Sequence, residues 1–168
     1  MRTPTSVRRL SVRPLASLLA AGALFACASP APPPAPSAVS VRPLAFTDME
    51  GRAHTVAESL DAGQKVVFVF WATWCSSCKA EMGSLAAAAR EHPELDFYGV
   101  VSGPDDAVDD GRVLEVVNRW FVPYPQVRDR DLELTETFGV VGTPTIVVVD
   151  EDGRVVYRDH EQPDWEAL

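Results

Sequence analysis

The stretch that decides the fold reads Val66-Val67-Phe68-Val69-Phe70-Trp71-Ala72-Thr73-Trp74-Cys75-Ser76-Ser77-Cys78. Its first five residues are β-branched or aromatic, which predicts a buried strand. Strong helix formers follow the second cysteine, so a helix is expected over residues 75–91, where Pro93 prevents it from continuing. The two cysteines therefore lie where a strand passes into the N-terminus of a helix.

The two cysteines have the spacing of a redox pair. At a helix N-terminus the unpaired backbone amides and the helix dipole stabilise a thiolate, which is the nucleophile in disulfide exchange. Residues three apart also lie within one helical turn, so Cys75 and Cys78 can close a small disulfide ring. The pattern predicts a site that exchanges disulfides.

Two other interpretations of the pair stay open, a metal site and a structural disulfide. A structural zinc site usually needs two such pairs or additional histidines, and Cys27 is the only other cysteine. The three histidines show no ligand spacing; they are His54, His92 and His160. A bridge between residues three apart closes too small a loop to stabilise a fold much. Redox chemistry remains the leading interpretation.

Composition favours one globular domain with an ordinary hydrophobic core. The chain has 168 residues, of which 46% are hydrophobic. Residues 1–26 are predicted to be a signal peptide, because four arginines precede an apolar segment too short to span a bilayer. Its removal would leave eleven basic residues against twenty-four acidic ones, a net charge of −13. Such an acidic domain argues against nucleic-acid binding, which requires neutralisation of phosphates.

Whether Cys27 is lipidated determines whether the exported chain is anchored to a membrane. The segment Leu24-Phe25-Ala26-Cys27 resembles a bacterial lipobox, in which the cysteine is lipidated and becomes the mature N-terminus. Ordinary cleavage at Ala26-Cys27-Ala28 is the alternative, and it would leave a soluble protein. With lipidation, the domain would be associated with a membrane through Cys27.

A low-complexity stretch separates this segment from the folded domain. Residues 27–40 are rich in proline and alanine, which favours an extended polyproline II conformation and a semi-rigid tether. The folded domain is expected over residues 41–168. Within it, strands and helices alternate, which predicts an α/β fold with a central mixed sheet. The expected elements are a hairpin over 46–56, strands over 66–70 and 97–101, helices over 75–91, 105–120 and 132–138, and a closing hairpin over 145–149 and 155–158.

Three segments together carry a resemblance to a known family. They are Phe70-Trp71-Ala72-Thr73-Trp74-Cys75-Ser76-Ser77-Cys78-Lys79-Ala80-Glu81, Val140-Val141-Gly142-Thr143-Pro144-Thr145 and Asp150-Glu151-Asp152-Gly153-Arg154-Val155-Val156-Tyr157. In this combination the chain resembles the TlpA-like and ResA-like thiol–disulfide oxidoreductases of the thioredoxin superfamily. These are exported, membrane-tethered bacterial proteins. The resemblance implies a thioredoxin-like fold with an N-terminal hairpin, an inserted helix over 105–120, and no cofactor.

The resemblance also implies roles for single residues. Cys75 would be the attacking sulfur, exposed at the helix start, and Cys78 the resolving sulfur one turn inside. Thr143 and Pro144 match the family's cis-proline pair, which presents backbone to an incoming peptide; an ordinary trans proline that starts a strand is the alternative. Trp74 is expected at the rim of the active site, where it would contact substrate.

Glu81 is the expected proton-handling group. It follows Cys78 by three residues and so shares the helix face that carries the inner sulfur. The resemblance implies that Glu81 tunes the thiol pKa and assists proton transfer, because Val69 occupies the strand position where thioredoxin keeps a buried aspartate. An exposed helical glutamate without such a role is the alternative. The chain departs from its relatives at Gly83, where they usually carry proline, and in its short C-terminus around Trp165.

Three functions follow from these expectations. The leading one is an exported reductase, at the periplasmic or cell-envelope face, that keeps substrate thiols reduced, such as those of apocytochrome c. It would act on protein thiols and disulfides and receive electrons from an upstream membrane thiol donor. The second is a general disulfide oxidase or isomerase. The third is a copper or other metal carrier that uses Cys75 and Cys78 as soft ligands.

Overall fold

A computed structural model describes residues 40–168 of the chain. The predicted signal peptide, Cys27 and nearly all of the predicted tether lie outside the described residues. The first backbone hydrogen bond of the domain runs from the Val41 amide to the Gly153 carbonyl, at 2.7 Å. Within residues 40–168, no helix combines the length and the apolar character needed to cross a bilayer.

The described residues form two sheets. A two-stranded antiparallel hairpin, β1–β2, precedes a five-stranded sheet of order β5-β4-β3-β6-β7. In the larger sheet β3, β4 and β5 run parallel, whereas β6 is antiparallel to both β3 and β7. The elements in chain order are β1 Ala45–Thr47, β2 Ala53–Thr55, α1 Val56–Asp61, β3 Lys65–Phe70, α2 Ser76–Glu91, β4 Leu95–Ser102, α3 Asp110–Trp120, β5 Gln126–Asp129, α4 Glu133–Thr137, β6 Thr145–Val149, β7 Val155–Asp159 and a 3-10 helix Trp165–Ala167. The predicted α/β class with a mixed sheet and an N-terminal hairpin is confirmed.

The central strand β3 is covered on both faces. Successive side chains of a strand point to opposite sides, so Val67 and Val69 pack with residues of α2 and α3. Val66, Phe68 and Phe70 point the other way and pack with residues of α1 and α4. This explains why the strand is apolar at every position instead of alternating.

The inserted helix is shorter than predicted. The expectation was a helix over residues 105–120, but α3 begins only at Asp110. Asp109 takes the N-cap position, where its Oδ1 accepts a hydrogen bond from the Arg112 amide at 2.7 Å. Asp105 lies before the helix and binds the Arg130 side chain at 2.6 Å. The acidic residues before α3 therefore have two roles: Asp109 caps the helix, and Asp105 forms an ion pair with Arg130.

Arg128 organises the loop between β4 and α3. Its side chain is almost completely buried on β5. The guanidinium donates to the backbone carbonyls of Val101 at 2.8 Å, Gly103 at 3.1 Å and Val108 at 3.1 Å, and to Asp110 Oδ1 at 2.6 Å. Because β3 and β4 are parallel, this loop lies at the same end of the sheet as the cysteine pair.

The segment after β7 packs back onto the larger sheet. The chain after β7 forms only the 3-10 helix, and Trp165 packs against Phe97 with a ring-centroid distance of 5.4 Å. The Trp165 side chain thus covers part of the sheet face that carries Phe97. The active-site helix α2 runs unbroken through Gly83.

Replacing Gly83 with alanine should stabilise the domain. A Cβ at Gly83 would meet no atom within 4 Å, and glycine in a helix interior costs about 0.5–1 kcal/mol relative to alanine. We expect Gly83→Ala to raise the free energy of unfolding by about that amount, measured by urea titration. The control is Gly51→Ala, also in open space but at a positive φ of 83°, which should destabilise. A lower free energy of unfolding for Gly83→Ala would contradict this prediction.

Candidate active site

The cysteine pair lies at the carboxyl end of β3, next to the start of β6. β3 ends at Phe70, and the Trp71 amide still donates to the Val100 carbonyl at 3.0 Å. Thr145, the first residue of β6, pairs with Phe70 in the antiparallel register. The Thr143–Pro144 segment, whose peptide bond is cis, therefore enters the sheet at the end where the cysteine segment leaves it. The sheet brings together two segments that are nearly 70 residues apart in the sequence.

Cys75 and Cys78 form a disulfide. The S–S distance is 2.00 Å and the Cα atoms are 5.3 Å apart. Cys75 is the N-cap residue of α2, and its Sγ accepts a hydrogen bond from the Cys78 amide at 3.1 Å. Ser77 Oγ lies 3.4 Å from the same sulfur. The amide at the helix N-terminus is thus directed at the atom on which a thiolate charge would develop after reduction.

The expectation that Cys75 is exposed was wrong for this oxidised form. Cys75 is 5% exposed and Cys78 is 1% exposed. As the N-cap residue, Cys75 turns its side chain back over the first turn of α2, where the bond to Cys78 also holds it. Cys75 is nevertheless the outer of the two sulfur-bearing residues, as the resemblance implied.

The two tryptophans of the active-site segment lie in different environments. Trp74 is 82% exposed, whereas Trp71 is buried. Trp71 packs against Trp120 with the rings tilted and their centroids 5.4 Å apart, and its Nε1 donates to Gln126 Oε1 at 2.9 Å. Trp74 thus lies at the surface beside the disulfide, and Trp71 forms part of the core beneath it.

Gln126 is a supporting residue that the sequence analysis missed. Its Nε2 donates to the Tyr124 carbonyl at 2.8 Å while its Oε1 holds the indole of Trp71. The amide occupies the space above Gly99, where a Cβ would lie 2.7 Å from both Cδ and Nε2 of Gln126. The missing side chain at Gly99 is therefore what admits Gln126. Because β5 was not predicted, nothing in the sequence pointed to this contact.

Glu81 is not a freely exposed helical glutamate. It lies one turn beyond Cys78 on α2, and its Oε2 is buried without a hydrogen-bond partner among the described residues. Burial raises the pKa of the Glu81 carboxyl; the Gln162 side chain opposes this rise and the negative charge of Glu161 adds to it. The C-terminal segment that covers Glu81 is fixed to α2, since Gln162 Nε2 donates to Ser84 Oγ at 2.7 Å.

Because the pKa of Glu81 is raised in the folded state, the stability of the domain should depend on pH. A carboxyl with a higher pKa in the folded state binds more protons folded than unfolded, so stability falls as pH rises from the unfolded pKa through the folded pKa. We expect Glu81→Gln to be more stable than wild type at pH 7, with the difference vanishing below about pH 4, where both states are protonated. Urea titrations at both pH values measure this. A stability difference of the same size at both pH values would contradict this prediction.

His160 is a second residue near the site that the sequence analysis missed. It directly follows β7, and its Nδ1 lies 2.5 Å from the Pro144 carbonyl oxygen. Its only cue in the sequence is its position just after the closing hairpin. No group of three or more His, Cys, Asp or Glu side chains in residues 40–168 is placed to hold a metal ion.

The chain is similar to known proteins over most of the described residues. The family model described as Redoxin matches residues 31–167. The thiol-disulfide oxidoreductase ResA of Bacillus thuringiensis subsp. konkukian (strain 97-27) is 31% identical over 111 residues, which cover 66% of this chain and 61% of that protein. The thiol:disulfide interchange protein DsbE of Allochromatium vinosum is 29% identical over 114 residues, which cover 66% of this chain and 59% of that protein.

A solved structure shows the same architecture. The structure of MTB DsbF in its mixed oxidized and reduced forms is 26% identical in sequence and superposes with a TM-score of 0.62. The match covers 75% of this chain and 90% of that one. These findings confirm the thioredoxin-like fold predicted from the sequence. The aligned region spans less than two thirds of the length of both curated relatives.

Proposed function

The chain belongs to the Redoxin family, and we propose that it is a thiol–disulfide oxidoreductase that acts on exported proteins through Cys75 and Cys78. The observation that carries the proposal is the geometry of the disulfide at the start of α2. The Cys78 amide points at Cys75 Sγ from 3.1 Å, which favours the thiolate of Cys75. The similarity to ResA and DsbE supports the same activity.

In the reducing direction the reaction has two steps. The Cys75 thiolate attacks one sulfur of a substrate disulfide, which forms a mixed disulfide and releases the other substrate sulfur as a thiolate. Cys78 then loses its proton and attacks Cys75 Sγ. This step releases the second substrate sulfur and closes the Cys75–Cys78 disulfide seen in the structure. Two electrons pass to the substrate, and the two released thiolates take up protons.

We assign supporting roles to four further residues. Glu81 is proposed to accept the Cys78 proton, since burial of its Oε2 raises the pKa of the carboxyl and makes it a better matched base than a fully exposed one. Thr143 and Pro144 are proposed to present backbone to the substrate, because they lie at the sheet end that carries the cysteines. Trp74 is proposed to contact the substrate as an exposed aromatic residue beside the disulfide.

The proposed direction is reduction of substrate disulfides to thiols, as in cytochrome c maturation, with electrons from a membrane thiol donor. The segment pattern of the first 40 residues supports export, with residues 1–26 as signal peptide, Cys27 lipidated and residues 27–40 as tether of the domain 41–168. This arrangement would hold the domain at the periplasmic or cell-envelope face. Mass spectrometry of the mature N-terminus tests it: a diacylglycerol on Cys27 supports it, and an N-terminus beyond Cys27 contradicts it.

The reduction potential of the cysteine pair tests the direction. We expect the pre-reduced domain to reduce insulin, with a potential nearer thioredoxin's roughly −270 mV than DsbA's roughly −120 mV. Equilibration with glutathione buffers measures this value. A potential near that of DsbA would favour the oxidase instead. Stoichiometric copper binding without disulfide exchange would favour a metal carrier, and would contradict the proposed function.

A further inference from the structure

The His160 side chain lies against the Thr143–Pro144 segment, which is proposed to bind the substrate backbone. Its Nδ1 lies 2.5 Å from the carbonyl oxygen of Pro144. Its Cε1 lies 3.8 Å from the position that a Cβ on Gly142 would take. The imidazole ring therefore contacts Pro144 and faces the open side of Gly142, the residues on either side of Thr143.

The register of the sheet explains why a side chain takes this place. β6 and β7 pair with Ile146 opposite Asp159, so the next step of the ladder would set Thr145 opposite His160. β7 ends at Asp159, however, and the His160 amide donates to Asp159 Oδ1 at 2.6 Å. The backbone pairing between β6 and β7 therefore ends before Pro144. The imidazole of His160, and not a backbone amide of β7, donates to the Pro144 carbonyl.

The hydrogen-bond partners assign the proton of the ring. A carbonyl oxygen only accepts, so Nδ1 of His160 donates to Pro144. Thr145 Oγ1 donates its single proton to the Gly142 carbonyl at 2.7 Å. Lying 3.3 Å from His160 Nδ1, the same hydroxyl can therefore only accept there. The turn from Gly142 to Thr145 is thus braced by one hydroxyl and one imidazole.

We propose that His160 is a positioning residue for substrate binding: donation from its Nδ1 fixes the Pro144 carbonyl and so orients the Thr143 backbone against which a substrate peptide pairs. This inference rests on the proposed function, because a held backbone matters only if protein substrates bind there. A backbone already fixed in its binding conformation avoids the cost of ordering it with the substrate. No hydrogen bond among the described residues joins His160 to either cysteine, so its effect falls on binding and not on sulfur chemistry.

The test compares a peptide substrate with a small one. The probes are a synthetic disulfide-bonded peptide and the small aromatic disulfide 5,5′-dithiobis(2-nitrobenzoate). For His160→Ala we expect KM for the peptide to rise about tenfold, the effect of one lost hydrogen bond at a binding segment. The kcat for the peptide and the rate with the small disulfide should stay within about twofold of wild type. The reduction potential should be unchanged.

Two substitutions and a control sharpen the test. His160→Asn places an amide donor at nearly the distance of Nδ1 from the backbone and should restore the wild-type KM, whereas His160→Gln, with its donor one carbon further out, should not. Both comparisons hold even if His160→Ala is unstable. The control is His92→Ala. His92 lies at the far end of α2, about 24 Å from the cysteines, and pairs with Glu94, so its removal should leave KM unchanged.

Different experimental outcomes would contradict the proposed role of His160 and the proposed function on which it rests. An unchanged peptide KM in His160→Ala, while the wild type turns over the peptide, would overturn the role of His160 alone. A parallel loss of rate with both probes, without restoration by His160→Asn, would also overturn it, because the residue would then act on the fold or the sulfurs. Absence of turnover by the wild type would instead overturn the proposed function.

Discussion

We expect Cys75→Ser to exchange disulfides with insulin more than about a thousandfold more slowly than wild type, because a hydroxyl has neither the thiolate character nor the redox chemistry of the sulfur it replaces. Cys78→Ala behaves differently. It keeps the attacking sulfur but lacks the one that releases the substrate. We expect it to accumulate a mixed disulfide on Cys75, seen as one added substrate mass under non-reducing conditions and lost on treatment with reductant.

The matched control for both variants is Ser76→Ala. Ser76 is exposed in the same turn and forms none of the bonds described for the cysteine pair, so its substitution should leave turnover near the wild-type rate. The assignment of roles makes a directional claim, since Cys75 is the outer residue and Cys78 the inner one. If the adduct accumulates on Cys78 in Cys75→Ser, and none forms in Cys78→Ala, the two roles are exchanged.

Arg128→Met should destabilise the domain by about 3–5 kcal/mol, because several backbone carbonyls lose their donor and each unsatisfied group costs about 1–3 kcal/mol. The substitution keeps much of the side-chain volume but removes every donor. Three backbone carbonyls, those of Val101, Gly103 and Val108, then lose a buried partner, as does Asp110. Urea titration measures the change, which should persist at high salt because the Arg128 side chain is 1% exposed and its carbonyl partners carry no net charge.

Arg130 offers a control that shares the same carboxylates. It binds Asp105 and Asp110, each at 2.6 Å, but its side chain is 43% exposed. Exposed ion pairs contribute about 0–1 kcal/mol, so Arg130→Met should cost little, and less still at high salt. Equal losses for Arg128→Met and Arg130→Met would show that the acidic partners, and not the buried carbonyls, account for the effect.

Local patterns explain what could be predicted from the sequence. The strand at Lys65–Phe70, the helix at Ser76–Glu91 and the closing hairpin all follow from apolar runs, helix formers and turn residues. The helix at Val56–Asp61 was missed because six residues show little periodicity. It did have a cue, since Thr55 and Glu58 form a capping box.

Long-range contacts explain what could not be predicted. The strand Gln126–Asp129 has three polar residues among four, a composition typical of loops, yet all four are buried. They are buried because their partners come from distant parts of the chain, such as Trp71 for Gln126 and the β4–α3 loop for Arg128. Such partners can be found only once the register of the strands is known. The contact of His160 with Pro144 escaped prediction for the same reason.

The space above Gly99 has a consequence for how sequences of this type can diverge. A methyl group at position 99 would occupy the same volume as the amide at position 126. We therefore expect that neither residue can be substituted in evolution without a change in the other. Homologues with a side chain at position 99 should have a smaller residue at position 126. In them a different group should accept the hydrogen bond from the indole at position 71. The two positions should therefore covary across homologues, and exchanging them one at a time between such lineages should be harmful where exchanging both together is tolerated.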